Sequence, residues 1–163
     1  MRNTTYVAVI GAATATDQEE AWAEEVGRLL ARAGAVLVCG GLGGVMHAAA
    51  RGSQHEGGLS VGIIPGEDRD PGSPHLTVCI STGMGEARNS LVVRTVDAVI
   101  AIGGEFGTLS EIGLALKMGK PVVGLATWEL ARHGSPVDAL IRSVTPGDAV
   151  ALALEAASSF RER

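Results

Sequence analysis

Residues 97–111 read DAVIAIGGEFGTLSE. The run from Ala98 to Ile102 has no polar break, as a strand buried on both faces requires. Gly103, Gly104 and Gly107 interrupt it, and LSEIGLALKMG then continues with helical spacing from Leu109 to Gly119. A strand that passes through a glycine turn into a helix is the repeating half of a β-α-β fold. Such a turn can also cradle a phosphate, because backbone N–H groups at a helix start attract anions. Thr108 and Glu111 fit the T-x-x-E capping box as well. Glu111 therefore reads either as a helix cap or as an acid that faces a ligand.

The alternation extends outward in both directions. Tyr6 to Ile10, Ala35 to Cys39, Leu59 to Ile64 and Leu76 to Ile80 are strand-like apolar runs ahead of the central one, and Pro121 to Leu125 follows it. Helical patterns separate them. The first opens on Thr16 with Glu19 three residues on, a capping box; the second is VMHAAARGSQHEG; the third lies within Gly83 to Thr95. Residues 126–135 read as irregular, residues 136–143 as a short helix, and Pro146 as the first position of a final helix. Alternating strands and helices predict one Rossmann-like domain over residues 1–163. Its expected form is a three-layer α/β/α fold around a mostly parallel sheet of six to seven strands.

Composition agrees. Of 163 residues, 46% are hydrophobic and only 3% aromatic, so the core is built from small aliphatic side chains. The 23 glycines gather at strand ends rather than in repeats. The net charge of -5 carries no dense basic patch, which argues against nucleic acid as a partner. No apolar run is long enough to span a bilayer, and the expected location is cytoplasmic. Cys39 and Cys79 fall in strands and read as free, buried thiols. The four histidines have no metal-ligand spacing, and His47 reads as a satisfied, partly buried side chain.

Three stretches carry the chemistry, and all begin at the carboxyl ends of strands, where ligands bind in such sheets. CGGLGGVM, Cys39 to Met46, is neither a Walker loop nor a G-x-G-x-x-G turn, but its glycines allow close backbone approach. GGEFGT, Gly103 to Thr108, offers glycine freedom, a hydroxyl and the positive end of a helix. STGMGEARNSLVVR, Ser81 to Arg94, brings Arg88, which could clamp an anion with two parallel hydrogen bonds or form a surface salt bridge. Asn89 could bond a base or ribose, or lie exposed; Arg94 reads as structural or interfacial. The candidate ligand-contacting residues are Gly11, Gly41, Gly43, Gly44, Met84, Asn89, Gly103, Gly104, Glu105, Phe106, Gly107 and Thr108.

GGLGGVMHAAARGS, GGLSVGIIPG and MGEARNSLVVRTVDAVIAIGGEFGTLSEIGLALKMGKPVV together resemble the Lonely Guy family, over residues 6–126. The resemblance is closest to the sister branch that includes the molybdenum cofactor carrier proteins, which share ARN in the helix and GG-x-x-GT-x-x-E in the turn. Lonely Guy enzymes hydrolyse the N-glycosidic bond of cytokinin riboside 5′-monophosphates. Their catalytic arginine and glutamate fall on Arg88 and Glu111; their lysine falls on Asn89, and their Pro-Gly-Gly becomes Gly103-Gly104-Glu105. The resemblance implies a protein that binds a nucleotide or a molybdopterin-type phosphorylated ligand and requires no cofactor of its own. The alternative is a phosphoribohydrolase acting on a nucleoside 5′-monophosphate. It also implies a homodimer or larger assembly packed through the third and fourth helices.

Overall fold

The computed structural model describes residues 4–162. Its strands are β1 (Tyr6–Gly11), β2 (Val36–Cys39), β3 (Ser60–Ile64), β4 (Val78–Ser81), β5 (Ala98–Ile102), β6 (Val122–Leu125), β7 (Leu130–Arg132), β8 (Ser135–Val137) and β9 (Ile141–Ser143). Its helices are α1 (Asp17–Arg32), α2 (Gly44–His55), α3 (Asn89–Arg94), α4 (Phe106–Lys117) and α5 (Pro146–Arg161). Seven strands form one parallel sheet in the order β4-β3-β2-β1-β5-β6-β9. This is the Rossmann-like architecture expected from the alternating pattern.

The unbroken apolar strands are explained by helices on both faces. Successive side chains of a strand point to opposite sides of the sheet. Val7 and Val9 of β1 join Ala98, Ile100 and Ile102 of β5 in a cluster with α1, α2 and α5. Ala8 and Ile10 join Val99 and Ala101 in a second cluster with α3 and α4. The chain runs from β1 outward to β4, then returns to the opposite side of β1 with β5. β1 and β5 pair from Val7↔Ala98 to Gly11↔Ile102. The strand order therefore reverses at β1 and β5, and in sheets of this kind ligands bind beyond the carboxyl ends at such a reversal.

Local signals hold at two helix starts. Thr16 and Glu19 close the capping box of α1, with Glu19 N donating to Thr16 Oγ1 at 3.2 Å and Thr16 N to Glu19 Oε2 at 2.8 Å. Thr145 caps α5, accepting from Asp148 N at 3.1 Å, with Pro146 in the first turn.

Three expectations change. The third helix is shorter than its pattern, because Gly83 and Gly85 adopt φ of 62° and 55°. The chain there makes a 3-10 turn, Gly85–Arg88, before α3. The helix expected over 136–143 is absent. His133 and Gly134, at φ of 50° and 77°, make a two-residue turn that folds β8 antiparallel onto β7. β9 then adds to the main sheet beside β6. The stretch 126–135, read as irregular, thus holds β7 and the turn. Among the described residues no helix is long and apolar enough to cross a membrane.

Candidate functional site

The capping reading of Glu111 does not survive. α4 begins at Phe106, and its N-cap is Glu105, which makes no side-chain cap bond. Thr108 is thus the third helical residue and Glu111 lies a turn deeper, buried at 6% exposure. The first-turn N–H groups have no capping side chain. Glu105 and Phe106 are exposed, as is Gly107, whereas Thr108 is buried. Gly104 sits at φ 105°, and a Cβ there would lie 2.6 Å from Thr108 Oγ1. The turn therefore presses its backbone against the threonine hydroxyl.

Arg88 closes the other side. The 3-10 turn carries it inward, where it is buried at 8% exposure rather than paired on the surface. Its Nη1 lies 3.9 Å from Glu111 Oε1 and donates to Asn89 Oδ1 at 2.5 Å. Its Nε is buried with no hydrogen-bond partner. Asn89 is also buried. Its Nδ2 donates to Ser110 Oγ at 3.2 Å, and Ser110 Oγ donates to Gly107 O at 2.7 Å. Asn89 thus tethers Arg88 to the first turn of α4, a role its sequence position does not suggest.

The electrostatics follow from burial. Desolvation pushes Glu111 up to about 7; the nearby Arg88 guanidinium opposes that shift and Glu86 adds to it. The carboxyl group therefore changes charge near neutral pH. Cys39, fully enclosed beneath the same rim, is pushed up to about 12 by burial and stays a thiol. Cys79 is half-buried and unpaired, less enclosed than expected.

The glycine turn after β2 reaches the same rim. A Cβ on Gly40 would come within 2.9 Å of both Nη1 and Nη2 of Arg88, so this position must lack one for the guanidinium to rest there. Gly41 is buried, and Gly43 is the N-cap of α2. Gly44 lies against the loop after β1, with Val45 N donating to Ala12 O at 3.1 Å. Gly11 closes β1 against β5: a Cβ there would meet Ile102 O at 2.7 Å. Met84 stands exposed ahead of the 3-10 turn. His47 turns away to Ser73, with Nδ1 3.0 Å from Oγ, and Ser73 N donates to Gly41 O. Among the described residues no group of acids, histidines and cysteines could hold a metal ion.

Several contributors were invisible in the spacing. Thr127 Oγ1 donates to Gly103 O at 2.5 Å, and Trp128 Nε1 donates to Glu105 O at 3.3 Å. Both brace the turn from the end of β6. Their one sequence signal is their place just past a strand's carboxyl end. Gly40 and Ser110 lie inside the quoted stretches but are not among the candidate contacts.

The assembled rim combines an uncapped helix start, a buried arginine with a free donor, and an acid that ionises near pH 7. Similar folds occur in known proteins. An uncharacterized protein of Archaeoglobus fulgidus is 45% identical over 119 residues, 73% of this chain and 78% of that one. The molybdenum cofactor binding protein of Rippkaea orientalis superposes with a TM-score of 0.87 at 33% identity, covering 95% of this chain and 98% of that one. The molybdenum cofactor carrier protein of Chlamydomonas reinhardtii gives 0.84 at 28% identity, covering 96% and 99%. Residues 4–150 match the family model described as the SLOG cluster4 family, and the chain belongs to that family.

Proposed function

We propose that this protein binds a small phosphorylated ligand, a nucleotide or a molybdopterin-type cofactor, without transforming it. The phosphate occupies the space over Gly103, Gly104, Glu105, Phe106, Gly107 and Thr108, where the uncapped N–H groups of α4 and its dipole favour an anion. Gly11, Gly41, Gly43 and Gly44 line the continuation of the pocket. The observation that carries the reading is Arg88, a buried cation whose Nε has no partner. A buried donor of this kind is costly unless a ligand satisfies it. The kinship with proteins described as binding or carrying the molybdenum cofactor supports a carrier-type role.

Thermal denaturation tests this directly. Ribose 5-phosphate should raise the melting temperature where ribose does not, and Arg88→Met should abolish the gain. Equal responses to ribose and ribose 5-phosphate would refute the phosphate cradle.

A second reading has its own observation, the pKa of Glu111 near 7. In a phosphoribohydrolase, that carboxylate would stabilise an oxocarbenium-like sugar while water replaces the base at C1′. Incubation with AMP and N6-substituted AMPs separates the two. Free base from the wild type, lost in Glu111→Ala, establishes hydrolysis; binding without release establishes the carrier role for those substrates. The resemblance further implies a homodimer through α3 and α4. Phe106, 79% exposed beside the site, is the apolar residue such an interface would cover.

A further inference from the structure

A cavity of about 870 Å³ lies between the carboxyl end of β6, the β7–β8 hairpin and β9. It lies beside the rim above Arg88, and Thr127 and Trp128 of its lining also brace the Gly103–Glu105 turn. Its size falls in the range of small-molecule sites, which span roughly 300–1,000 Å³. Trp128 forms one wall, and Leu130, Val137 and Leu140 supply apolar surface. The indole cannot swing freely, because its N–H is held by Glu105 O and the Phe106 ring lies 5.7 Å away, tilted by 35°. A fixed aromatic wall loses little entropy when a flat ring stacks on it.

The rim selects among flat rings. Glu129 is paired with Arg142 at 3.2 Å, and Asp138 takes part in no ion pair among the described residues. A spare carboxylate accepts hydrogen bonds from ring amino groups and repels phosphate. We propose that this cavity is a second binding site, for an uncharged, amino-bearing heteroaromatic ring of the purine-nucleoside class. The site is tested with its own ligand, separately from the phosphate pocket, although Trp128 of its wall also braces the turn proposed to hold phosphate.

The chain contains two tryptophans, so Trp22→Phe leaves Trp128 as the only one. Titration of that variant with adenosine should quench Trp128 emission saturably. Half-saturation on the order of 0.1 mM is expected from the efficiency common to ligands of this size. Ala131 and Asp138 are both exposed, so changing them removes no core packing. Ala131→Phe, which fills the cavity from the hairpin, should weaken binding roughly tenfold, and Asp138→Asn several-fold. Ribose 5-phosphate should not compete. Absence of saturable quenching, quenching undiminished in Ala131→Phe, or competition by ribose 5-phosphate would each overturn the proposal. A failure of ribose 5-phosphate to bind anywhere would instead count against the phosphate pocket alone.

Discussion

Arg88 Nη1 and Glu111 Oε1 stand 3.9 Å apart, both buried, one on a 3-10 turn and the other on the second turn of α4. That separation exceeds a hydrogen bond. The pair therefore attracts without closing, and the arginine keeps donor capacity directed elsewhere. Asn89 and Ser110 fix the guanidinium laterally, so its position does not depend on the acid alone.

Arg88→Met leaves Glu111 buried without its cation. Breaking a buried pair from one side costs about 3–5 kcal/mol when the remaining group is charged. The loss should be largest at pH 8, where Glu111 is ionised, and smaller at pH 5. Urea denaturation at the two pH values measures it; equal losses would show that the pair is not electrostatically coupled.

Glu111 itself gives a pH signature. Burial raises it from 4.5 to about 7, so the folded chain holds a proton across that window which the unfolded chain has released. This group's contribution is fully present below about 4.5 and declines as pH rises, being lost above about 7. Relative to Glu111→Gln, the wild type should lose about 3 kcal/mol between pH 4.5 and 8. Parallel stability curves for the two proteins would contradict the raised carboxyl.

Two glycines should separate stability from binding. Gly104→Ala places a methyl against Thr108 at φ 105° and should cost about 1–3 kcal/mol in denaturation experiments. Gly40→Ala meets only the movable ends of Met46 and Arg88. It should cost less than about 1 kcal/mol yet weaken ribose 5-phosphate binding several-fold in calorimetry, because the guanidinium must shift. Unchanged binding in Gly40→Ala would remove Arg88 from the ligand's reach.

The proposed dimer predicts a mass near twice the 16.6 kDa chain by light scattering. Phe106→Glu should then yield a monomer. A monomeric wild type would exclude the assembly.

The layered sheet was legible because each strand is apolar at consecutive positions, a pattern that only helices on both faces can satisfy. The rim was legible as a region, since glycines collect after β1, β2 and β5. The β7–β8 hairpin was not, because a histidine occupies the left-handed turn position that glycine or asparagine usually announces.

Sequence alone determined the α/β class, and it pointed to the sheet edge of the candidate site and, through family pattern, to the pair Arg88 and Glu111. Tertiary structure decided what those residues are. T-x-x-E satisfies a capping box in any chain, but here the N-cap lies three residues earlier, at Glu105, and the acid is carried inward. Its burial, the unpartnered Arg88 Nε and the Asn89–Ser110 tether arise from segments brought together by β1 and β5 pairing. Local spacing specifies which backbone groups a side chain could reach; only the packed fold specifies which of them water has left.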